Sequence, residues 1–387
     1  MRVIICGDTH IGAVFGLGRP TGNGSNTRIE DYEKSLNHVI DYAIDTAADI
    51  FIQTGDLFEH RSPTPEHINV ANKALKRLSK ANIATVVIMG NHDYRRNGES
   101  FTSSITSLAA KDYSNVRMVI EPEVMMFHNS KNEKVNILLM PFRDRKMYPG
   151  DSCEEQSAGY NEHVKGLISS VGNKSPIISV GHNFFFEGSY NDYGGAEVMA
   201  DTSSFEGCDL AVMGHLHNFR VLKKSAPACV YTGSMERTNF GDANVDKYFI
   251  DYNVGTKKAK FCKIPVRDLI DFTIDVTDSG FSNCKDRMAE EIDKLDLGNK
   301  IARAKVLVSE AVLPAADKTF VQKYVYDSGA FYLSKVIIEP VMNRIVRDSA
   351  ILDHSDDYSM FEAFIESQDF GLNIKEKLLS EAKEIIG

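Results

Sequence analysis

Five short stretches of the chain share one order of residues: an apolar run, a glycine, and then a side chain that can bind a metal ion or move a proton. The stretches are VIICGDTH (3–10), IFIQTGDLFEH (50–60), VVIMGNHD (86–93), IISVGHN (177–183) and LAVMGHLH (210–217). A glycine lets the chain turn sharply and pass close to a ligand. The donor side chains after these glycines are Asp8, His10, Asp56, Asn91, His92, His182, His215 and His217. One such ending is usually a turn or a buried histidine, but five in agreement predict a shared site.

Seven of these side chains, all except His92, are the predicted metal ligands. The carboxyl ends of strands in α/β sheets are where ligand sites collect, so we expect the seven to converge. Imidazole, carboxylate and amide donors suit Mn, Fe or Zn, and the absence of thiolate disfavours a structural zinc site. Seven donors are too many for one tetrahedral ion and suit two ions that share a carboxylate. Two divalent ions and two aspartates leave a net positive charge, which suits binding a phosphate diester and lowering the pKa of a bridging water.

The apolar runs that precede these side chains are continuous rather than alternating, which is typical of strands buried on both faces. The runs are residues 3–6, 50–54, 83–89, 135–140, 176–180 and 208–213. An apolar stripe that begins at Tyr32 predicts a helix between strands, and Thr64 followed by Pro65 predicts the start of another. The glycine-rich stretch 11–29 fits no phosphate-binding motif, so we expect a loop beside the site. These patterns predict a layered α/β domain over residues 1–265.

The remaining chain divides into two smaller parts. Residues 266–345 contain two strand patterns and two helical patterns, which predict a smaller α+β domain. The strand patterns are 272–278 and 302–312, and the helical patterns are 283–296 and 317–327. Residues 346–387 are predicted to form a C-terminal helical segment with two short amphipathic helices.

Composition excludes several classes of protein. No apolar run approaches the ~18 residues that cross a bilayer, and the N-terminus lacks the pattern of a signal peptide. The 6 cysteines are scattered without a CxxC pair, which favours a reducing cytoplasm. A formal charge of −10 and a pI near 5.6 argue against a general nucleic-acid coat. They do not argue against a nuclease, whose local positive field can come from bound metal.

The motifs GDTH, GDLFEH, GNHD, GHN and GHLH, in this order, resemble those of the calcineurin-like metallophosphoesterases over about residues 1–250. Within that superfamily the chain looks most similar to the SbcD-type nuclease subunits of the SbcCD double-strand-break repair complex, cellular or phage. GDLF, CDLAVMGHLH and VYTGSMERTNFGD (230–242) carry this finer resemblance. It implies β-sheets flanked by helices, an α+β DNA-capping domain, and location in the cytoplasm, or the host cytoplasm for a phage protein.

The resemblance also implies roles for the residues. Asp8, His10, Asp56 and His217 would hold one metal, and Asp56, Asn91, His182 and His215 the other, so that Asp56 bridges them. The expected ions are two manganese ions, with Mg, Fe or Zn as alternatives. His92 would be the catalytic histidine, acting as general acid towards the leaving group.

The implied activity is exonuclease and endonuclease cleavage of DNA at double-stranded ends, hairpins and single strands. The implied partner is an SMC-like ATPase subunit of the SbcC type, which the C-terminal helices would bind. The chain would form a homodimer within a heterotetramer, with no membrane contact.

Glu59 departs from the family pattern, since many members carry His or Asp three residues after the bridging aspartate. Two interpretations stay open: Glu59 orients His92 by a charge-assisted hydrogen bond, or it is an acid on the DNA-facing surface.

An alternative function is hydrolysis of a small phosphoester, a cyclic nucleotide or a phosphoprotein. Protein phosphatases of this type usually carry GDxVDRG and GNHE, whereas this chain has GDLFEHR and GNHD. Purple acid phosphatases use a tyrosine ligand and are secreted, which the N-terminus and cysteines do not support. A non-catalytic scaffold is disfavoured because every ligand position and His92 are intact.

Overall fold

Two six-stranded sheets pack face to face in the larger part of the molecule. The structure is a computed structural model that describes residues 1–22, 25–98, 100–109, 113–172, 175–186, 197–224, 227–341, 357–368, 370 and 372–386. The first sheet consists of β1 (Arg2–Cys6), β2 (Ile50–Gln53), β3 (Ala84–Ile88), β6 (Val116–Val119), β15 (Lys247–Asn253) and β16 (Lys258–Ile264), in the order β16-β15-β1-β2-β3-β6. The second consists of β7 (Glu123–His128), β8 (Lys134–Met140), β9 (Ile177–Gly181), β12 (Leu210–Met213), β13 (Arg220–Lys223) and β14 (Ala228–Tyr231), in the order β13-β14-β12-β9-β8-β7.

Two short strand pairs lie outside these sheets. They are β4 (Tyr94–Asn97) with β5 (Ser100–Ser103), and β10 (Phe184–Phe186) with β11 (Met199–Asp201). The first pair is antiparallel and the second is parallel.

The space between the two large sheets is an apolar core to which both contribute. Ile5 and Ile52 from the first sheet and Val180 and Val212 from the second are all 0% exposed. Helices cover the outer faces: α1 (Arg28–Asp45) and α2 (Pro65–Lys80) lie on the first sheet, and α4 (Cys153–Val171) lies on the second. A single helical turn, α3 (Thr106–Ala109), precedes β6. The strands are therefore buried on both faces, as the continuous apolar runs predicted, and the layered α/β fold is confirmed.

The predicted start of α2 is also confirmed. The Thr64 hydroxyl accepts a hydrogen bond from the backbone N of His67 (3.4 Å), and Pro65 occupies the first helical position. Pro65 fits there because its missing N–H would have no partner within the helix.

A second, smaller unit follows the sandwich. It consists of β17 (Leu269–Asp275), α5 (Cys284–Asp293), β18 (Ile301–Ser309), α6 (Lys318–Asp327) and β19 (Tyr332–Val341). We expected an α+β arrangement here, but β17, β18 and β19 are all parallel, because α5 and α6 are the crossover connections between them. Its side chains form their own apolar cluster, which includes Ile274, Met288 and Val321.

The junction between the sandwich and the second unit is charged and aromatic. The Arg267 guanidinium donates to both carboxylate oxygens of Asp31 on α1, at 2.7 and 3.0 Å, and lies 3.6 Å from the ring centroid of Phe331. The glycine-rich loop also takes part, because Leu17 is 2% exposed in a small cluster with Leu269 and Ile301. The loop that leaves the candidate site thus ends against the second unit.

Two helices, α7 (Asp357–Ser367) and α8 (Leu372–Ile386), pair with each other near the C-terminus. Ile365 and Ala382 are buried, at 2% and 8% exposed, while Ile374 and Ile385 are 55% and 80% exposed. Two amphipathic helices were predicted in this segment, and both are present. The part of the predicted segment before residue 357 lies outside the described residues. Among the described helices, none is long and apolar enough to cross a bilayer.

Candidate metal centre

The carboxyl ends of β1, β2 and β3 from the first sheet meet those of β9 and β12 from the second. Contacts across this meeting point join loops that are far apart in sequence. The backbone N of His215 donates to Asp8 Oδ1 (2.9 Å), and Nδ1 of His182 donates to the main-chain oxygen of Thr54 (2.7 Å). The structure therefore brings all seven predicted ligands and His92 to one place, as the shared strand–glycine pattern predicted.

Two of the glycines are needed because the loops approach so closely. A Cβ atom on Gly90 would lie 2.1 Å from both the backbone N and Oδ1 of Asp56. A Cβ atom on Gly55 would lie 2.4 Å from Nδ1 of His182, and Gly55 has a φ of +98°. No side chain fits in either space, which gives the physical reason for a glycine between strand and donor.

Four of the predicted ligands have left-handed backbone conformations. The φ angles are 44° for Asp8, 48° for His10, 52° for Asp56 and 89° for His215. Such conformations cost about 1–3 kcal/mol each and persist where the surrounding structure enforces them. Here the backbone N of Asp8 donates to the Gly55 oxygen (3.2 Å) and that of His10 to the Asp56 oxygen (2.9 Å). The strain is therefore concentrated at the side chains that the chemistry needs.

One group of donors surrounds the side-chain oxygen of Asn91. Nε2 of His182 and Nδ1 of His215 each lie 2.9 Å from Oδ1 of Asn91. Nε2 of His182 is also 3.3 Å from Oδ2 of Asp56. These four side chains are the set predicted for one of the two ions.

The other group contains His10 and His217 and also lies beside Asp56. Nε2 of His10 is 3.6 Å from Asp56 Oδ2, and the ring centroids of His10 and His217 are 4.7 Å apart. Nε2 of His10 is buried and has no hydrogen-bond partner among the described residues. A buried imidazole nitrogen without a partner beside carboxylates fits a cation site. Because Oδ2 of Asp56 is close to histidines of both groups, the geometry fits a bridging carboxylate.

Each of the four histidines predicted as ligands has a neighbour on its other ring nitrogen. These neighbours are Glu59 Oε2 for His10 Nδ1 (2.8 Å), Thr54 O for His182 Nδ1 (2.7 Å), Thr238 Oγ1 for His217 Nδ1 (3.2 Å) and Glu197 Oε2 for His215 Nε2 (3.3 Å). Such outer contacts fix the orientation of a metal-binding imidazole and decide which nitrogen faces the metal. They leave Nε2 of His10, His182 and His217, and Nδ1 of His215, facing the centre.

His92 is held by the backbone of the neighbouring loop. Its N–H donates to Asp56 Oδ1 (2.8 Å), and its ring Nδ1 donates to the main-chain oxygen of Glu59 (2.9 Å). The ring packs edge-on against His10 at 4.8 Å between centroids. It is 36% exposed, whereas the His10 and His182 side chains are 1% and 0% exposed. Nε2 of His92 is therefore the nitrogen that is free to face a substrate.

The Glu59 carboxylate faces two histidines of the centre. It is only 9% exposed, which does not suit an acid on the surface, and Oε2 is 2.8 Å from His10 while Oε1 is 3.5 Å from His92. It is the backbone oxygen of Glu59 that makes the shorter contact with His92. The carboxylate thus lies between the two histidines and nearer to His10.

Sequence reasoning missed two acids at the site. Asp93 is fully buried and accepts hydrogen bonds from the backbone N atoms of Leu57 (3.1 Å), Phe58 (3.1 Å) and Gly90 (3.0 Å). It therefore ties the loop after β2 to the loop after β3. Its place as the last residue of the GNHD motif was the sequence feature that could have indicated this role. Glu197, beside His215, follows no strand–glycine pattern, and no sequence signal marks it.

The buried ionisable groups at the centre shift one another's pKa values. Burial raises the pKa of Asp8 to about 7. Burial alone would also raise the pKa of Asp56, but the neighbouring His182 and His10 hold it well below its usual range. Burial would lower the pKa of His182, but the Asp56 carboxylate outweighs this and raises it to about 10. Asp56 and His182 thus stabilise each other's charged forms, whereas burial outweighs the same effect at Asp8.

The pKa values of the two remaining predicted ligands, His215 and His217, shift in the opposite direction. Burial, with the charge of His182, lowers the pKa of His215 to about 3. Burial, with the charge of His10, lowers the pKa of His217 to about 4. Both rings are therefore neutral at pH 7 and have a lone pair available for a metal.

The sequence model of the calcineurin-like phosphoesterase family matches residues 1–219, which is more than half of the chain. The protein therefore belongs to the calcineurin-like phosphoesterases, metal-dependent hydrolases of phosphoesters. Candidate groups of metal ligands are present in it, among them Asp8, Asp56 and His182.

Among individual proteins, the chain is similar to two archaeal DNA double-strand break repair proteins named Mre11. It is 25% identical to that of Methanosarcina mazei over 251 residues, which are 65% of this chain and 36% of the relative. It is 23% identical to that of Archaeoglobus fulgidus over 308 residues, 74% of this chain and 65% of the relative. The chain thus spans less than two thirds of the length of either relative. Among solved structures, the protein TT1561 of Thermus thermophilus aligns with 68% of this chain and 99% of its own, at 11% identity and a TM-score of 0.41.

Metal uptake is expected to release protons. At pH 7 His182, with a pKa near 10, carries a proton that must leave before Nε2 can bind a cation, and Asp8, with a pKa near 7, is about half protonated. Apparent affinity for Mn²⁺ should therefore rise between pH 6 and pH 8, by about tenfold per pH unit for each proton released. Calorimetric titration in buffers of different ionisation enthalpy measures the number of protons. If Mn²⁺ binds without releasing protons and its affinity does not change between pH 6 and pH 8, the charge states described above are wrong.

Proposed function

We propose that this protein is a DNA nuclease that uses two divalent metal ions to hydrolyse phosphodiester bonds. The observation that carries the proposal is the position of Asp56, whose Oδ2 lies 3.6 Å from His10 in one group of donors and 3.3 Å from His182 in the other. Two ions that share a carboxylate suit a phosphodiester, because the pair can act on the attacking and the leaving oxygen together. DNA as the substrate is supported by similarity to proteins named for double-strand break repair.

The proposed ligands fall into two sets that share Asp56. Asp8, His10, Asp56 and His217 would hold one ion, and Asp56, Asn91, His182 and His215 the other. Manganese is the proposed metal, with Mg, Fe or Zn as alternatives, because imidazole, carboxylate and amide donors without thiolate suit several of these ions. When bound, the ions would supply Lewis acidity towards the phosphoryl oxygens and lower the pKa of a water molecule.

His92 is the proposed general acid. Its Nδ1 is committed to the main-chain oxygen of Glu59, so only Nε2 is available to give a proton to the leaving oxygen. A deoxyribose oxygen is a poor leaving group without a proton, and a placed acid typically contributes ~10²–10⁴-fold to the rate.

Glu59 is proposed to position two histidines at once. Its carboxylate is 2.8 Å from His10 and its backbone oxygen is 2.9 Å from His92, so one residue fixes a metal ligand and the acid relative to each other. Burial would raise the pKa of Glu59, but its contact with His10 outweighs this and lowers it, which keeps the carboxylate charged.

The parts of the chain have proposed roles that follow from the same function. Residues 1–265 are the nuclease domain, and residues 266–345 are a DNA-capping domain. Residues 346–387 bind an SMC-like ATPase, and two copies of the chain pair within a heterotetramer.

Two exposed arginines offer cations for DNA phosphates beside the site. They are Arg95 and Arg96, on β4 directly after GNHD. Two other arginines near the motifs, Arg143 and Arg237, do not suit this role. They are buried, at 4% and 5% exposed, and form ion pairs with Glu121 and Asp268 instead.

Replacing Asp56 tests the nuclease proposal. The parent protein should cleave linear duplex and hairpin DNA with Mn²⁺ and act poorly on p-nitrophenyl phosphate. Asp56→Ala should lose essentially all cleavage and bind less metal, because both groups lose their shared carboxylate. Elemental analysis after gel filtration counts the ions. Preference for the monoester would refute the choice of substrate, and two tightly bound ions in Asp56→Ala would refute the bridge.

Replacing His92 separates acid catalysis from metal binding. His92→Ser should keep both ions and its affinity for DNA but cleave ~10²–10⁴-fold more slowly in single turnover. Because His92 also contacts His10, metal content is measured in the same samples. His128→Ser, at an exposed histidine on β7, is the control and should match the parent. Loss of metal or near-normal cleavage in His92→Ser would refute the role of His92 as general acid.

The apolar residues exposed on α8 are expected to bind the ATPase subunit. Ile374 and Ile385 are 55% and 80% exposed, so changing both to Asp should abolish co-purification with that subunit and leave basal nuclease activity intact. Lys377→Asp, an exposed change on the same helix, is the matched control. Undiminished co-purification of the double variant would show that this helix is not the docking element.

A further inference from the structure

Phe15 combines two unfavourable features in the loop that leaves the candidate metal centre. Its side chain is 56% exposed, and its φ is 44°. A bulky residue in the left-handed region is strained, and an exposed phenyl ring gains little from packing. Neither feature benefits the fold.

The strain arises from a tight turn. The backbone N of Leu17 donates to the Val14 oxygen (2.8 Å), which places Phe15 and Gly16 at the two central positions. Both have positive φ, at 44° and 69°. Turns with two such residues strongly favour Asn-Gly or Gly-Gly, so a phenylalanine at the first position is a costly choice.

Both ends of the turn are anchored, so the ring is held in a defined place. On the side of the metal centre, Ile11 and Ala13 are 0% exposed, and the N of Ala13 donates to the His10 oxygen (3.0 Å). On the other side, Leu17 is 2% exposed and belongs to the apolar cluster that includes Leu269 of the second unit. Phe15 thus projects from the rim between the centre and that unit, five residues after His10.

We propose that Phe15 is a stacking residue for a nucleobase of the DNA strand that enters the metal centre. This inference rests on the proposed nuclease function. Every base has a π-face, so one rigid, exposed ring can hold a strand without reading its sequence. Arg19, exposed four residues later with its guanidinium 5.7 Å from the Phe331 ring centroid, offers a cation for the phosphate of the same strand.

The immediate surroundings favour a base over a protein surface. Phe15 is followed by the exposed Gly16, the buried Leu17 and Gly18, and then the exposed Arg19. One exposed aromatic ring with an exposed cation four residues later suits a single base and its phosphate.

The experiment compares DNA with a small phosphodiester. Phe15→Ala should weaken binding of single-stranded DNA by ~5- to 150-fold, the range expected for loss of one base–aromatic stack. DNA cleavage at low substrate should fall in proportion, while hydrolysis of bis-p-nitrophenyl phosphate and manganese content stay at the parent level. Phe15→Trp should restore DNA binding. A 2-aminopurine base placed along the strand should be quenched in the parent and the Trp variant but not in Phe15→Ala.

Two further variants separate stacking from a structural role. Phe15→Gly should show the same DNA defect with no loss of thermal stability, because glycine adopts positive φ without strain. Phe261→Ala removes a ring that is 38% exposed on β16, the edge strand of the first sheet, and should leave DNA binding unchanged. Equal DNA affinity in Phe15→Ala and the parent would overturn the inference.

Other outcomes point elsewhere. Loss of small-diester hydrolysis or metal in Phe15→Ala would show that the ring only supports the loop of His10. A change in oligomeric state would show that it contacts a second copy of the chain. If the parent protein hydrolyses the diester but does not bind DNA, the proposed nuclease function itself is refuted. If the parent and Phe15→Ala bind DNA equally well, only the stacking role of Phe15 is refuted.

Discussion

The structure depends on the burial of two carboxylates, Asp8 and Asp56, at a single polar centre. They are 0% and 1% exposed, and their ligand atoms form one group with that of His182. An ionised carboxylate without compensation is very costly away from water, so cations or donors must surround it. Backbone N–H groups of His215 and His92 supply part of this compensation, and His182 and His10 supply positive charge. Divalent ions would complete it, which links the affinity for metal to the integrity of the loops.

The need to compensate these two buried carboxylates explains why the loops of the centre have strained backbone conformations. It also explains why so many outer contacts support these loops. Four of the proposed ligands adopt positive φ, and each histidine among them has a neighbour on its second nitrogen. Asp93 is not among the proposed ligands, yet it ties together the loops that supply Asp56 and Asn91. Burial, with Asp56 nearby, raises its pKa to about 6, while its three backbone hydrogen bonds oppose that rise. The proposed ligands are thus positioned by a network of hydrogen bonds in addition to the sheets themselves.

The second unit is attached to the same network through α1 and the glycine-rich loop. Arg267 bridges from the start of that unit to Asp31, and Asp31 also binds the buried Arg28. Arg28 in turn donates to the main-chain oxygen of Arg237, one residue before Thr238, which contacts His217. A continuous chain of ion pairs and hydrogen bonds therefore runs from the second unit to a candidate ligand. It holds the rim of the site, where Phe15 lies, in a fixed relation to the centre.

The sequence alone determined the layered α/β fold and predicted the eight donor side chains that meet at the centre. Continuous apolar runs are a local signal of strands buried on both faces, and a donor after a glycine is a local signal at the end of each strand. The tertiary structure alone decided which ring nitrogens face the centre, that the Glu59 carboxylate turns to His10 rather than to the surface, and that Glu197 stands beside His215. It also decided that the second unit has a parallel sheet. These features depend on contacts between residues far apart in the chain, such as His10 with Glu59 or β17 with β18, and no local pattern of residue types encodes the direction in which a side chain or a neighbouring strand will point.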